Sequence, residues 1–282
     1  MHRASLVVDT AMLQVYDACC LAPTSGYDQF RQSEVAQIIV PRRGVFGVDQ
    51  RRGEFILDSG SVFVIDMGEI FRTKHPGPDG DDCTDVVLNA ELFEEWSHGR
   101  RHQFGRLTPS HQLAVSFITR LLGSPDTSPV EAEDYALLLL DILARAFSEP
   151  EARTAARAVS ATQRARVDQV RELLASAPAE KWRLATIAKA VHCSPFHLAR
   201  QFRTVTSTTI AQYLLRLRLF LAAERIAGGE TNLSSLAIET GFAHQSHLTT
   251  RFHQAYGITP AASRKLLRSG CLSQFQRLVG SS

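Results

Sequence analysis

Four side chains between residues 196 and 203 have the types and the spacing needed to read DNA base edges. Phe196, Ala199, Arg200 and Arg203 recur at three- and four-residue intervals, so a helix would present them together. An arginine such as Arg200 can pair with a guanine through two hydrogen bonds, and Phe196 or Ala199 can touch a thymine methyl group. Arg203 is expected to hold a phosphate.

A second cluster of polar side chains starts at Gln245. Its amide can pair with adenine, and Thr249 and Thr250 can each contact a base or a phosphate. Ser246 shares the outward face, and Arg251 is placed for a contact with the DNA backbone. Two such clusters predict a protein that contacts two stretches of double-stranded DNA.

Two copies of one helical pattern must position these clusters. Leu184, Ile187 and Ala188 have apolar counterparts 49 positions later, whereas Leu198 and Phe202 have theirs 50 positions later. Each copy predicts a short helix, a tight turn and a second helix with apolar residues facing inward. That arrangement is a helix-turn-helix, whose second helix enters the major groove.

Start and stop signals place the other helices of the C-terminal half. Ser194-Pro195 and Thr259-Pro260 are typical helix starts, and Gly228-Gly229 is a typical helix end. We therefore expect helices over about 161–176, 184–205 (first unit), 210–226 (connecting helix), 233–256 (second unit) and from 260 onward.

Formal charge is divided unevenly along the chain. Its 282 residues carry a net charge of +2. Residues 156–282 contain 17 Lys and Arg against 6 Asp and Glu, and residues 1–155 contain 14 against 23. A basic C-terminal half is typical of nucleic-acid binding, and the acidic N-terminal half is expected to do something else. The length suits two domains, each with its own core.

Short strands dominate residues 6–88. Apolar runs at 35–40, 55–57 and 62–65 predict strands, the first of which is expected to end at Pro41. They predict a small β-barrel or sandwich. Helices over about 113–122 and 130–147 follow; the second is apolar around most of its circumference, so it must lie in a core or against a second copy of the chain. Expected turns lie at Gly44, Gly47, Gly53 and Gly68.

The sequence offers few residues in patterns that bind a metal or a cofactor. Glu69, His75 and Cys83 could ligate a metal, but this stretch lacks two histidines within a few residues of each other on one strand. The acidic residues Asp79, Asp81 and Asp82 fall in a Gly/Pro-rich stretch that predicts a solvated turn. The sequence therefore predicts no metal site and no cofactor.

The cysteines and the termini point to a reducing compartment. The five cysteines lack a Cys-x-x-Cys pair, so free thiols are expected, with Cys19 and Cys20 as strand residues rather than a thiol switch and Cys193 in the core. The N-terminus lacks the apolar stretch of a signal peptide, and no apolar run approaches the roughly 20 residues of a membrane span. A cytoplasmic protein without a membrane partner is expected.

The run from Trp182 to Leu267 resembles the DNA-binding domain of the AraC/XylS family of bacterial transcription regulators. The resemblance rests on Ile187-Ala188, Ser194-Pro195, His197-Leu198, Arg200, Phe202-Arg203, Tyr213, Arg216, Arg218-Leu219, Leu236-Ala237, Gly241-Phe242, Gln245-Ser246-His247-Leu248, Phe252 and Tyr256-Gly257-Ile258-Thr259-Pro260. It implies two helix-turn-helix units on a rigid connecting helix that read successive major-groove segments. The implied base readers are Phe196, Ala199 and Arg200, then Gln245, Ser246, His247, Thr249 and Thr250.

Three positions depart from the family pattern. Thr250 stands where many members have arginine, which predicts a weaker grip by the second unit. Ser263-Arg264 replaces an aromatic residue followed by arginine, which predicts a more loosely packed last helix. Cys193 replaces a commoner valine.

Motifs around Gly44-Val-Phe46, His75-Pro-Gly-Pro and Gly80-Asp-Asp-Cys83 are similar to the cupin-like sensor domain of many family members. This similarity implies a small barrel that binds an effector, and helices that dimerise. The expected fold is a mainly-β cupin-like barrel plus helices, then an all-α domain with two helix-turn-helix units joined by a long helix. The expected boundaries are 1–105 (sensor), 106–150 (helical dimerisation segment), 151–160 (linker), 161–270 (DNA-binding domain) and 271–282 (tail).

Together these features predict a sequence-specific transcription regulator rather than an enzyme. Its expected partners are promoter or operator DNA, RNA polymerase, a small-molecule effector and a second copy of the chain. Two other classes stay open: a cupin-type metal enzyme or DNA-repair methyl acceptor fused to a DNA-binding module, and a non-specific architectural DNA binder.

Overall fold

Ten β-strands build the N-terminal half in the computed structural model, which describes residues 2–20, 26–51, 53–76, 80–97, 104–147 and 160–280. The strands are β1 His2–Asp9, β2 Leu13–Cys20, β3 Arg31–Gln32, β4 Ala36–Arg43, β5 Val45–Gln50, β6 Gly53–Asp58, β7 Ser61–Ile65, β8 Ile70–Lys74, β9 Asp81–Leu88 and β10 Phe104–Arg106. They form a six-stranded sheet of order β1-β2-β9-β4-β7-β10 and a four-stranded sheet of order β3-β8-β5-β6. Every pairing is antiparallel.

The six-stranded sheet buries both of its faces. Ile39 and Phe63 point toward the four-stranded sheet and belong to the cluster between the sheets. Their neighbours Ile38, Val62 and Val64 point the other way, into a cluster shared with the helices. Adjacent strand residues face opposite sides, so one run of apolar residues supplies both layers. The expected mainly-β unit with attached helices is confirmed, as two packed antiparallel sheets.

Two turn predictions in this half are wrong. β4 continues through Pro41 to Arg43, because β7 pairs with β4 only as far as Ile39 and the register shift beyond Pro41 forms a bulge. Gly47 lies inside β5, where an added Cβ would sit 2.6 Å from the Lys74 side chain. That glycine therefore permits a close approach rather than a turn.

Eleven helices complete the described part of the chain. They are α1 Ala90–Ser97, α2 Pro109–Leu122, α3 Pro129–Arg145, α4 Ala161–Ser176, α5 Leu184–Ala190, α6 Pro195–Thr206, α7 Ile210–Ala227, α8 Leu233–Glu239, α9 Gln245–Tyr256, α10 Pro260–Ser269 and α11 Leu272–Gly280. The expected caps Ser194 and Thr259 accept hydrogen bonds from the backbone N–H groups of His197 and Ala262. The order expected for two helix-turn-helix units is confirmed.

The expectation of one separate core per half is wrong. Leu219 of α7 and Phe252 of α9 belong to the same buried cluster as Phe117 of α2. On the other side, Val45 and Ile56 of the four-stranded sheet join the cluster of the first helix-turn-helix unit. The connecting helix α7 has buried side chains on several faces, so it must be covered by the barrel half as well as by its own units.

The predicted helix after residue 130 is α3, and most of it is buried as expected. Burial occurs within one chain, on α2, although Val130 and Leu137 stay exposed. The predicted tail instead contains α11, whose Phe275 is fully buried. The predicted linker residues 151–159 and Asp79 lie outside the described residues. In the described part of the chain, no helix combines the length and apolar character needed to cross a membrane.

Candidate nucleic-acid interface

The first expected reading face is exposed on α6. Leu198 and Phe202 are fully buried, and the opposite side of the helix presents Phe196 at 81% exposure. Arg200 and Arg203 are exposed beside it, as is Ala199. A phenylalanine left so open adds nothing to the core, which leaves it available to a partner.

Gln201, a buried polar residue that the sequence analysis missed, helps to hold α6 in place. Gln201 is buried, and its Oε1 atom accepts a hydrogen bond of 3.1 Å from Arg166 of α4. Its Nε2 atom lies 2.7 Å from Nε2 of His197. The bond to Arg166 ties α6 to α4, whereas the contact with His197 lies within α6. The sequence offered no signal for them, because Gln201 looks like a surface residue of an amphipathic helix.

The second reading face lies on α9 and is less open. Leu248 and Phe252 are buried, as expected. Half-buried His247 packs its ring edge-on to Phe242, with centroids 5.4 Å apart, so it contributes to packing as well as to the surface. Thr249 is also half-buried, whereas the other candidates are exposed: Gln245, Ser246, Thr250 and Arg251.

Gln245 is already engaged within the second unit. Its Oε1 atom accepts a hydrogen bond of 2.8 Å from the hydroxyl of Ser234 on α8. Because reading adenine through two hydrogen bonds uses both the carbonyl and the amino group of the amide, Gln245 must release Ser234 to do so. Ser246 is engaged likewise, with its Oγ atom 2.8 Å from Nδ1 of His244.

The connecting helix α7 fixes the distance between the two units. Its 18 residues span roughly 27 Å at 1.5 Å per residue. Arg218 anchors it through bonds of 2.7 Å to the carbonyls of Pro178 and Glu180. Gly241, in the turn of the second unit, has a φ of +84°, and an added Cβ would lie 2.7 Å from Nε of Arg218. Only glycine satisfies both constraints there.

A buried carboxylate joins the barrel to the DNA-binding half. Asp58, at the end of β6, accepts bonds of 2.6 Å from Arg171 of α4 and 2.9 Å from Tyr213 of α7. Arg106 binds its other oxygen at 2.6 Å. Burial alone would raise the pKa of Asp58, but Arg106 and Arg171 hold it well below the usual range. In the sequence Asp58 simply follows the apolar run 55–57, and nothing there indicates these partners.

Two further ion pairs and a cavity lie along the same boundary. Arg42 contacts Asp17 of β2 and, at 3.8 Å, Glu224 of α7, while Lys74 reaches Glu172 of α4 at 3.5 Å. Between the barrel and the two helices is a cavity of about 200 Å³. Its wall includes Arg42, Arg43, Ala175, Pro178, Leu217 and Phe220. Apolar side chains with a few polar groups are the usual lining of a small-molecule site. The guanidinium groups of Arg42 and Arg43 are already paired with carboxylates.

The three residues considered as possible metal ligands, Glu69, His75 and Cys83, do not form a group among the described residues. Cys83 points into the barrel, and burial and the charges of Asp85 and Asp81 raise the pKa of its thiol. Glu69 lies in the turn before β8, where its carbonyl accepts from Ser33. His75 instead contacts Asp81 at 2.6 Å.

The predicted solvated acidic turn is also wrong. Asp81 is buried in β9, and Asp82 holds Arg43 at 2.6 Å. Cys19 and Cys20 are β2 residues, as expected, and as neighbours they point to opposite faces. Burial and the nearby Asp82 carboxylate raise the pKa of Cys19 to about 11, so its thiol stays protonated.

Asp85 makes the stability of the barrel depend on pH. Burial raises its pKa to about 7, with Asp81 and Asp17 adding repulsion and Arg42 opposing them. Because the folded state then holds a proton that the unfolded chain loses near pH 4, the free energy of unfolding should fall between about pH 4 and pH 7. In Asp85→Asn we expect that decline to be smaller, measured by urea unfolding at several pH values in the presence of a chelator. Equal declines in both proteins would contradict this.

Comparison with known proteins identifies the domain that contains α6 and α9. A family model described as a helix-turn-helix domain matches residues 187–266, from α5 into α10. Regulatory protein SoxS of Salmonella typhimurium is 32% identical over 81 residues, covering 29% of this chain and 76% of SoxS. A putative AraC-like transcription regulator of Streptomyces lividans is 32% identical over 88 residues, covering 31% of this chain and 29% of the regulator. The chain belongs to the AraC/XylS family.

Other AraC/XylS relatives match over a limited part of their length. The bifunctional transcriptional activator/DNA repair enzyme AdaA of Bacillus subtilis is 28% identical over 100 residues, covering 36% of this chain and 47% of AdaA. The chain thus spans half or less of the length of AdaA and of the Streptomyces regulator.

The departures from the AraC/XylS pattern are accommodated. Ser263 is fully buried, and its hydroxyl donates to the carbonyl of Pro260 at 2.9 Å. Arg264 donates to the carbonyl of Thr231 at 2.9 Å. Ser263 thus lies on the buried face of α10, and the predicted looser packing of this helix stays a prediction. Cys193 is half-buried against the core of the first unit, close to the expectation.

Proposed function

We propose that this chain is a sequence-specific transcription regulator that binds promoter DNA through α6 and α9. The observation that carries the proposal is the pair of exposed reading faces, set on two helix-turn-helix units by one anchored helix. The proposed contact residues are Phe196, Ala199, Arg200, Arg203, Gln245, Ser246, His247, Thr249, Thr250 and Arg251. The activity proposed is binding rather than catalysis.

The barrel is proposed to control DNA binding. It shares buried clusters with both units and forms ion pairs with α4 and α7, so a ligand that shifts the barrel changes how the two units are held. Such a ligand acts by binding one arrangement more tightly than another. The boundary cavity is the proposed place for a small-molecule effector.

Two macromolecular partners complete the proposal. RNA polymerase is expected to contact the DNA-bound regulator, and a second copy of the chain is expected to pair through the exposed side of α3. Val130 and Leu137 are seven positions apart, so they lie on one side of that helix, and both are open to solvent. The mass of the protein–DNA complex counts the protomers.

Selection of binding sites from random DNA at physiological salt tests the function. We expect an enriched site with two short motifs one helical turn, about 34 Å, apart, because each unit reads its own groove segment. Equal affinity for selected and random DNA would identify an architectural binder instead.

Arg200→Ala should weaken binding to the selected site by about 1–3 kcal/mol and weaken binding to random DNA much less, because a base contact carries the specificity. Arg203→Ala should weaken both by the same factor and lower the salt dependence by about one counterion, because it removes a phosphate contact. Titrations at several salt concentrations measure both effects.

The matched control is Arg120→Ala, which removes the same charge from an exposed position on α2. It should leave both affinities unchanged. If Arg200→Ala bound the selected site as tightly as the parent protein, α6 would not be the reading helix.

A further inference from the structure

Three side chains that commonly bind metals meet inside the barrel. Cys20 at the end of β2, His75 after β8 and Asp81 at the start of β9 each place a ligand atom within 4.8 Å of the other two. Cys20 is 6% exposed, and the side chains of His75 and Asp81 are 14% and 4% exposed. His75 and Asp81 are six positions apart, whereas Cys20 is far from both in the sequence and joins them through the pairing of β2 with β9.

Hydrogen bonds orient the ring of His75 so that its Nδ1 atom faces Asp81. The Thr73 hydroxyl donates to Asp28 at 3.0 Å, which leaves its oxygen to accept from Nε2 of His75, 3.3 Å away. Nδ1 then faces Asp81 Oδ2 at 2.6 Å, a contact that requires a proton between the two atoms. Phe46 stacks on the ring at 5.7 Å and holds its plane. A metal-binding histidine is oriented in the same way, by a bond from its other nitrogen.

The charge around these residues favours a cation. Asp85 lies on the same face of β9 as Asp81, four residues further along. Its Oδ1 atom is buried and has no hydrogen-bond partner. At about 3.3 Å per residue Asp85 lies roughly 13 Å from Asp81, so it adds an acidic group to the same interior face without being a ligand of the ion.

We propose that Cys20, His75 and Asp81 bind one divalent transition-metal ion of the Zn²⁺ class, with water at a fourth position. A thiolate, an imidazole and a carboxylate are ligands that Zn²⁺ accepts, and three protein ligands leave one position open. Zn²⁺–ligand bonds of about 2.0–2.3 Å place tetrahedral ligands roughly 3.5 Å apart. Nδ1 of His75 and Oδ2 of Asp81, now 2.6 Å apart, must therefore separate by about 1 Å, and the Cys20 sulfur, within 4.8 Å of the other two ligand atoms, must adopt the same spacing. The ion displaces the Cys20 thiol proton and the proton between His75 and Asp81, and both leave to solvent.

The site adjoins the boundary with the DNA-binding half. Gly80, next to Asp81, lines the boundary cavity, and Asp82 on the other side holds Arg43 of the same wall. An added Cβ on Gly44 would lie 2.7 Å from the carbonyl oxygen of Gly80, so the backbone of this part of the cavity wall is closely packed. We therefore expect movement of Asp81 on metal binding to displace the residues of the cavity wall that contact α4 and α7. This coupling rests on the proposed DNA-binding function, whereas the metal site does not.

Titration of the reduced, chelator-treated full chain with Co²⁺ tests the site. Co²⁺ stands in for Zn²⁺, and a thiolate ligand gives it a strong near-ultraviolet charge-transfer band. We expect one equivalent of Co²⁺ to develop the band, one equivalent of Zn²⁺ to abolish it, and Zn²⁺ to raise the Tm. The band should be absent in Cys20→Ser, and Thr73→Val should bind about 10–100-fold more weakly because His75 loses its orienting partner.

Cys19→Ser is the matched control, since Cys19 is the neighbouring thiol on the opposite face of β2. It should keep the band and the Tm shift. Failure of the parent chain to develop the band, or persistence of the band in Cys20→Ser, would overturn the proposed site. The Tm of each variant without metal shows that it folds.

DNA affinity with and without Zn²⁺ tests the coupling separately. We expect Zn²⁺ to change the affinity for the selected site at least about fivefold, the lower range of ordinary allosteric coupling, and not in Cys20→Ser. A metal-loaded chain with unchanged DNA affinity would refute the coupling and leave the site in place. Failure of the DNA-binding function itself would appear independently, in the Arg200→Ala comparison.

Discussion

Asp58→Asn is expected to lower the free energy of unfolding by about 3–5 kcal/mol, as removal of one partner from a buried ion pair does elsewhere. Asp58 is 1% exposed. When Asp58 is neutralised, the buried Arg171 keeps the half-buried Asp168 as its one charged partner within the part of the chain that the structure describes. The loss arises mainly from that buried guanidinium. Urea unfolding at neutral pH measures it.

The same substitution should loosen the DNA-binding half from the barrel. Hydrogen exchange of backbone amides in α4 should increase, because Arg171 of that helix loses its bond to Asp58. Acid should act in the same direction. The pKa of Asp58 is held low in the folded protein, so its contribution is present above about pH 4 and lost as pH falls further.

Asp141→Asn provides the matched control. Asp141 pairs with Arg145 one turn along α3, and both side chains are about half exposed. Exposed pairs of this spacing contribute about 0.3–0.5 kcal/mol. If Asp58→Asn cost no more than Asp141→Asn, the boundary would not depend on the buried carboxylate.

Phe275→Ala should cost about 3–5 kcal/mol, the usual range for emptying a buried phenylalanine site. Phe275 is fully buried, and its ring meets Phe117 of α2 edge-on, with centroids 6.2 Å apart. The Tyr135 hydroxyl also donates to the carbonyl of Gly270 at 2.5 Å, just before α11. The free energy of unfolding should therefore report α11 as part of the core rather than as a tail.

Phe196→Ala makes the same chemical change at a side chain that is 81% exposed. It should alter stability by less than about 0.5 kcal/mol and weaken DNA binding instead. Comparing the two substitutions therefore distinguishes a phenylalanine that packs in the core from one that contacts DNA. Equal effects of both substitutions on unfolding would show that α11 is not held against α2.

Local patterns predicted the helix-turn-helix units correctly because their signals are short-range. The apolar pair Leu198 and Phe202 and the cap Ser194 define α6 within a few residues of sequence, and the same holds for Leu248 and Phe252 in α9. Exposure of Arg200 follows from the inward direction of that pair. Whether each exposed residue touches DNA remains a prediction.

The contacts between the halves could not be predicted, because they join residues far apart in the chain. Asp58 and Tyr213 are 155 positions apart. Asp58 opens a Gly-containing turn, and that local role fully accounts for an aspartate there. The grouping of Cys20 with His75 and Asp81 depends likewise on strand pairing, and a Gly/Pro-rich neighbourhood suggested solvent where the fold supplies a barrel interior.

The long sequence separation between Asp58 and Tyr213 also affects how the chain folds during synthesis on the ribosome. At about 5–20 residues per second, Tyr213 leaves the ribosome roughly 8–30 s after Asp58. During that interval Val45 and Ile56 lack the helices that cover them, while Arg106 arrives early enough to neutralise the carboxylate. The nascent barrel therefore presents an uncovered apolar sheet face for seconds, a surface on which chaperones act and aggregation begins.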